Sequence, residues 1–168
     1  MSLEEIAKKM CAKGKGILAA DESTGTMDKR LTSVGVECTD INRLNFREAL
    51  FTADAMKSYI GGVILFDATI REKISSGISV PELIEKNNSV VGIKVDKGAK
   101  KLAGSPEETV TEGLDGLRER LSEYYKLGAR FTKWRAVYNI GKNSPSVQSI
   151  KSNAQALARY AALVQEAN

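Results

Sequence analysis

Short apolar runs recur four times along this chain, and segments in which apolar residues recur at helical spacing separate them. The runs begin near residues 16, 61, 90 and 130. This alternation predicts an α/β fold in which parallel strands are joined by right-handed βα connections. A length of 168 residues suits one domain with a sizeable core. We therefore expect a single domain over residues 1–168.

The fourth run, Phe131–Val137, has the composition of a strand but carries two cations. Alternation along a strand places Lys133 and Arg135 on the same face and Trp134 on the opposite face. A helix can cover the face with Trp134, whereas two unpaired cations buried on the other face would be costly. That face is therefore predicted to meet anions. An edge strand with two solvated charges is the alternative, since charged edges are common.

Polar side chains also gather where the other predicted strands end. The full set of such residues is Asp21, Asp67, Lys94, Asp96, Lys133 and Arg135. In α/β folds, sites form at the carboxyl ends of the strands. Lysines and carboxylates together suit carbonyl and carbanion chemistry on a phosphorylated substrate, because nearby cations lower the pKa of a reacting lysine and carboxylates move protons.

The chain contains no histidine, and this excludes several kinds of site. Zinc held by histidine, a Ser-His-Asp triad and a histidine general base are all ruled out. A net charge of +4 with both signs mixed along the helices does not indicate nucleic-acid binding. No run is long enough to span a membrane and no signal peptide is evident, so we expect a cytoplasmic protein.

Two local motifs have ordinary structural interpretations. Cys11 and Cys38 have no paired spacing, so reduced thiols are favoured over a disulfide. Asn87–Ser89 matches a glycosylation sequon, but without secretion a structural role is favoured. Neither a P-loop nor a Gly-x-Gly-x-x-Gly turn occurs.

Apolar periodicity and helix-capping residues predict the remaining elements. We expect helices over residues 2–12, from 39 or 40 to about 57, over 80–85, from about 114 to 127, and from 144 to the end. Polar loops are expected at residues 21–25 and between residue 96 and Pro106.

Three stretches, in this order, resemble class I fructose-bisphosphate aldolases. They are Gly16–Gly25 (GILAADESTG), Gly92–Asp96 (GIKVD) and Phe131–Arg135 (FTKWR). The likeness extends over essentially the whole chain. It implies a TIM barrel that needs no metal or cofactor and cleaves fructose 1,6-bisphosphate to dihydroxyacetone phosphate and glyceraldehyde 3-phosphate in glycolysis. It also implies a homotetramer.

The resemblance implies roles for seven residues. Asp21 matches the carboxylate beside the reacting carbons, and Lys133 matches the lysine that stabilises charge near the Schiff base. The substrate-binding and phosphate-binding positions are matched by Ser23, Thr26, Arg30, Lys94 and Arg135. Among these, Lys94 and Ser23 resemble contacts to the 6-phosphate, and Arg30 resembles a contact near the 1-phosphate. Thr26 replaces a serine, which keeps the hydroxyl and adds a methyl group.

The sequence departs from the family in length. A complete barrel takes about 250 residues or more, whereas this sequence stops after the fourth strand and its helix. The family's Schiff-base lysine and glutamate pair belong to later strands and are absent from these 168 residues. We therefore expect the first half of the barrel, strands 1–4, to be inactive alone, with activity that belongs to the full barrel or to complementation by a C-terminal half. The alternative is a non-catalytic half-barrel that binds phosphorylated ligands or assembles with itself.

Overall fold

The computed structural model describes residues 1–167. Its helices are α1 (Leu3–Met10), α2 (Thr24–Thr32), α3 (Asp40–Phe51), α4 (Ala55–Tyr59), α5 (Asp67–Ile70), α6 (Val80–Lys86), α7 (Leu117–Lys126) and α8 (Val147–Glu166). Its strands are β1 (Gly16–Ala20), β2 (Ile60–Leu65), β3 (Val90–Lys94), β4 (Ala99–Leu102), β5 (Ser105–Thr111) and β6 (Phe131–Lys133).

Four of the strands form one sheet in the order β1-β2-β3-β6. Strand β2 pairs in parallel with β1 on one side and with β3 on the other. Helices lie between successive strands of this sheet in the chain, so the predicted α/β alternation is confirmed. Strands β4 and β5 form a separate antiparallel hairpin.

The chain packs as two units. The first consists of residues 1–94 and 124–132, and its core contains Phe51, Val63, Leu65 and Ile93, all fully buried. The second begins with residues 95–123 and resumes at Lys133. In the second unit, Asn153 of α8 donates to the Thr109 carbonyl at 2.8 Å and accepts from the Thr111 amide at 3.3 Å, which anchors the helix to β5.

Gly92 in β3 is required by the packing of an aromatic ring. A Cβ at this position would lie 2.3 Å from the ring of Phe131, far inside van der Waals contact. A Cβ at Gly62 of β2 would also lie close to the Phe131 ring, at 3.2 Å. The two glycines therefore make room for Phe131 on one face of the sheet.

Several expected boundaries are wrong; the last helix, for example, expected from residue 144, begins at Val147 because Ser146 caps it. The helix expected to reach about residue 57 ends at Phe51, where the Thr52 hydroxyl donates to the Glu48 carbonyl and α4 starts separately. The loop expected before Pro106 contains β4, turns at Gly104 with a φ of 79°, and continues into β5. The loop expected over residues 21–25 already contains the start of α2.

The strand expected over Phe131–Val137 ends at Lys133. Beyond it, backbone carbonyls of the chain accept hydrogen bonds from side chains of β5. Thr111 donates its hydroxyl to the Arg135 carbonyl at 2.7 Å, and Thr109 donates to the Val137 carbonyl at 2.9 Å. Side-chain hydroxyls thus replace a backbone ladder here.

The structural interpretations of the two local motifs agree with the fold. Cys11 and Cys38 are both free thiols. Asn87 is 7% exposed, and its amide donates to the Phe51 carbonyl at 2.7 Å. Among the helices described in residues 1–167, none is long and apolar enough to cross a membrane.

Candidate functional site

The first unit holds the predicted catalytic carboxylate at the carboxyl end of β1. Strand β1 ends at Ala20, which is fully buried, and Asp21 follows at the carboxyl end, itself buried. Placement at this end of a parallel strand is where α/β folds position reactive groups. Asp21 therefore lies at the carboxyl end of the strand, as the sequence predicted, while its role remains a prediction.

The two hydroxyls assigned to phosphate lie against each other at the start of α2. Ser23 is the N-cap of this helix, yet its side chain makes no capping hydrogen bond within residues 1–167. Its Oγ instead lies 3.2 Å from Oγ1 of Thr26. Helix N-termini favour anions, and α2 has no acidic residue in its first turn. The segment therefore has donors and a dipole suited to an anion.

Arg30, on the last turn of α2, turns back toward the start of the same segment. Its Nη1 pairs with Oε1 of Glu22. The Arg30 side chain is 56% exposed, whereas the Glu22 side chain is 12% exposed. Asp21, Ser23, Thr26 and Arg30 therefore all belong to one short β1–α2 segment.

Behind this segment lies a buried charge cluster that the sequence analysis missed, formed by Glu22, Arg47 and Glu72. Arg47 of α3 is 2% exposed and donates from Nη2 to the Glu22 carbonyl at 2.8 Å. Burial lowers the pKa of the Arg47 guanidinium, and the charges of Glu22 and Glu72 oppose that shift. Burial also raises the pKa of Glu72, with Arg47 and Arg43 opposing it. Arg47 is therefore a fixed, desolvated support for the backbone at Glu22.

Three buried atoms of the cluster have no hydrogen-bond partner within residues 1–167, namely Glu22 Oε2, Arg47 Nε and Glu72 Oε2. Such atoms are uncommon in protein interiors. A signal for Arg47 exists in the sequence, since it lies four residues before Phe51 and so on the same helix face. An arginine, even on an apolar helix face, is nevertheless ordinarily expected to be exposed to solvent.

Lys94 is the remaining predicted site residue in the first unit. It is the last residue of β3 and is half-buried, after four buried residues of the same strand. The cation therefore stands at the carboxyl end of its strand, as the sequence predicted. Its contact with phosphate remains a prediction.

Lys133 and Arg135 belong to the second unit. Lys133 is the last residue of β6 and is half-buried, while Arg135 is exposed. The backbone at Arg135 is fixed, because its amide donates at 3.3 Å to Oδ2 of Asp96, whose Oδ1 accepts from the Gly98 amide. Asp96 therefore orders the backbone that carries Arg135.

The aromatic side chain between these two cations packs against a helix. The ring of Trp134 stacks on that of Tyr160 in α8, with centroids 5.1 Å apart and planes 30° apart. The expected contact of Trp134 with a helix is thus observed. The indole Nε1 is buried and has no partner in the described part of the chain.

Asp67 has a structural environment. Its Oδ1 accepts hydrogen bonds from the hydroxyl of Tyr124 at 2.8 Å and from Nη2 of Arg71 at 2.9 Å. These bonds tie α5 to the end of α7. Within residues 1–167, no group of three or more Cys, Asp or Glu side chains is arranged to hold a metal ion.

The parallel sheet with helices between its strands, and with charged residues at the strand ends, has the architecture of half of a TIM barrel. The family model for class-I fructose-bisphosphate aldolase, a glycolytic family, matches residues 2–168. The chain belongs to the class I fructose-bisphosphate aldolase family.

Individual relatives are similar over nearly the whole chain. A probable fructose-bisphosphate aldolase class 1 of Xylella fastidiosa is 57% identical over 164 residues, which are 98% of this chain and 49% of that protein. The cytoplasmic isozyme 1 of fructose-bisphosphate aldolase from Pisum sativum is 54% identical over 160 residues, 95% of this chain and 45% of that protein. The chain therefore spans about half the length of the curated relatives it matches.

A solved structure gives the same result. The aldolase of Plasmodium falciparum, crystallised in a ternary complex with TRAP and a small-molecule inhibitor, superposes with a TM-score of 0.93. It is 44% identical in sequence, and the match covers 97% of this chain and 48% of that one. The predicted fold, half of an aldolase TIM barrel, is confirmed.

Proposed function

We propose that residues 1–168 are the N-terminal half of an aldolase barrel domain and supply part of a site that cleaves fructose 1,6-bisphosphate by Schiff-base chemistry. The observation that carries the proposal is the β1–α2 segment. In this segment the buried Asp21 comes directly before Glu22, which pairs with Arg30, and the hydroxyls of Ser23 and Thr26 lie against each other. A carboxylate next to anion-binding groups suits proton transfer on a phosphorylated substrate.

In this proposal, Asp21 moves a proton at the reacting carbons and Lys133 stabilises the charge that develops beside the Schiff base. Arg30, Lys94 and Arg135 bind the substrate through their positive charge, and Ser23 and Thr26 donate hydroxyl groups to phosphate. The nucleophilic lysine and the glutamate pair come from a C-terminal half. The covalent route needs that lysine, so we predict that these 168 residues alone have no appreciable activity.

The assembly and location are also proposals. By analogy with the family, the complete protein would act as a homotetramer without a metal or organic cofactor. The pea relative is named a cytoplasmic isozyme, and we propose the same location for this protein.

Complementation tests the proposed activity. The 168-residue chain is purified alone and together with the C-terminal half of the Xylella fastidiosa relative, and cleavage of fructose 1,6-bisphosphate is measured. Borohydride reduction with dihydroxyacetone phosphate, followed by mass spectrometry, reports the Schiff base directly. We expect neither turnover nor trapping for the chain alone and both for the pair. Turnover by the chain alone near that of a full-length aldolase would contradict the proposal.

Substitution in the complemented pair tests the role of Asp21. Asp21→Asn keeps the shape of the side chain but removes its basicity, so we expect at least a roughly hundredfold loss of turnover, the usual contribution of a general acid or base. Asp28→Asn is the matched control, because Asp28 is exposed on α2. Equal losses in both variants would argue against a catalytic role.

A second candidate function is a non-catalytic half-barrel that assembles with itself and binds phosphorylated ligands. The exposure of Ile17 in the outer strand β1 favours it. Borohydride trapping in the complemented pair separates the two functions, since the second predicts phosphate binding without a Schiff base.

A further inference from the structure

Glu22 stands between the proposed catalytic carboxylate and the proposed phosphate-binding hydroxyls, and no role follows for it from the resemblance. In the chain it separates Asp21 from Ser23. Its carboxylate holds Arg30, the cation assigned to phosphate. An anion that binds Arg30 must therefore compete with a carboxylate that already occupies the guanidinium.

The side chains of Glu22 and Arg30 differ in how freely they can move. The Glu22 side chain is 12% exposed, and its backbone carbonyl is held at 2.8 Å by the buried Arg47. The Arg30 side chain is 56% exposed and extends from the last turn of α2. The carboxylate is therefore the fixed partner, and the guanidinium is the one that can rotate away.

We propose that Glu22 sets the phosphate affinity of this segment by acting as an internal competitor for Arg30. The inference rests on the proposed function, which assigns Arg30 to phosphate. A phosphate group carries about 1.5 to 2 negative charges at neutral pH and accepts two parallel hydrogen bonds from one guanidinium. It can therefore displace a single carboxylate, whereas a weaker anion such as chloride cannot match that geometry.

Displacement of the Glu22 carboxylate from Arg30 by phosphate includes an unfavourable free-energy contribution from Glu22. One of its oxygens, Oε2, is already buried without a hydrogen-bond partner in residues 1–167. Loss of Arg30 removes the hydrogen-bond partner of the other oxygen and leaves the carboxylate, among the described residues, with only the nearby charge of Arg47, and a partly buried carboxylate without a hydrogen bond is unfavourable. Only an anion that binds Arg30 more strongly than Glu22 does opens the pair, so Glu22 contributes to selectivity as well as to affinity.

The test is a titration of inorganic phosphate into the complemented pair at constant ionic strength, followed by NMR of the backbone amides of the β1–α2 segment. In Glu22→Gln the competitor loses its charge, and we expect phosphate to bind about two- to fivefold more tightly, the ratio that corresponds to a partly exposed ion pair. The matched control is Glu4→Gln, which removes the same charge from the exposed Glu4–Lys8 pair on α1. That control should leave the affinity near the wild-type value.

A second variant separates the effect of side-chain length from the effect of charge. Glu22→Asp keeps the net charge but shortens the side chain by one methylene, so we expect an affinity between those of the wild type and Glu22→Gln. The double variant Glu22→Gln with Arg30→Gln should bind phosphate as weakly as Arg30→Gln alone, because the competitor then has nothing to hold. This non-additivity identifies Arg30 as the group through which Glu22 acts.

The outcomes distinguish this inference from the proposed function. If the wild type binds phosphate and Glu22→Gln binds it no better than Glu4→Gln does, the competition is refuted and the proposed function is unaffected. If phosphate binds more tightly to Glu22→Gln even when Arg30 is also replaced, Glu22 acts on another group and the inference is wrong. If no variant binds phosphate, both the inference and the assignment of Arg30 fail, while complementation still reports on cleavage.

Discussion

At the scale of single residues, a glycine and an arginine both occupy buried positions because of the residues that pack around them. Gly92 is followed by Ile93 in a strand whose first four residues are buried, and its missing Cβ makes space for Phe131. Arg47 is a charged residue with the exposure of a core residue. In both cases the neighbours, and not the residue type, decide the environment.

Substitution of Gly92 tests the first of these environments. We expect Gly92→Ala to lower the free energy of unfolding by about 2 kcal/mol, the usual scale for overpacking a core, measured by urea denaturation. In Gly25→Ala the new methyl group meets nothing within 4 Å and stands in α2, so a gain of about 0.5–1 kcal/mol is expected. Adding Phe131→Leu to Gly92→Ala should recover part of the loss. An unchanged stability in Gly92→Ala would contradict the packing.

At the scale of elements, α8 is held to the β4–β5 hairpin by polar side chains. Glu108 of β5 is 6% exposed and accepts from the Ser146 amide at 2.6 Å, just before α8 begins. Its carboxylate also accepts hydroxyl hydrogen bonds from Ser146 and Ser105. These bonds, the Ser146 hydroxyl foremost, hold the pKa of Glu108 below its usual range.

The depressed pKa of Glu108 predicts a pH dependence of stability. A carboxylate whose pKa is lower in the folded state stabilises the fold above its unfolded pKa, about 4.3 for glutamate, and loses this effect as the pH falls through the folded value. We expect the stability difference between the wild type and Glu108→Gln to be largest near neutral pH and to shrink below about pH 4.

Thermal denaturation between pH 3 and pH 7 measures this difference. Glu107→Gln is the matched control, because Glu107 is the exposed neighbour in the same strand. A difference between wild type and Glu108→Gln that stays constant over the whole range would show that the hydrogen bonds do not depend on ionisation.

At the scale of the whole molecule, the outer strands of the four-stranded sheet are β1 and β6. Outer strands have backbone groups that can pair with another chain. Ile17 in β1 is 45% exposed, and Ala19 on the same face is exposed as well. Nothing in the sequence of β1, which has no charge or proline, discourages pairing.

We therefore predict that the 168-residue chain self-associates, binds a chain that completes the barrel, or is partly molten. Sedimentation velocity at several concentrations reports the association, and Ile17→Lys should reduce it by placing a charge on the exposed face. Ile150→Lys is a matched control, since Ile150 in α8 is 46% exposed. A monomer at every concentration that melts cooperatively would refute this prediction.

The sequence by itself determined the strands of the sheet and the residues at their ends. Buried runs such as Val90–Lys94 are recognisable because composition and spacing are local properties. The positions of Asp21 and Lys94 at the strand ends followed from the same local pattern, and the roles proposed for them and for Lys133 followed from three short motifs.

The tertiary structure decided where the elements stop and which charges are buried. The strand that begins at Phe131 ends at Lys133 because hydroxyls of β5 bind the next carbonyls. The burial of Arg47 and its hydrogen bond to the Glu22 carbonyl depend on α3 packing against the β1–α2 segment. Periodicity reports which face of an element is apolar, but contacts between residues distant in the chain determine which polar group finds a partner there.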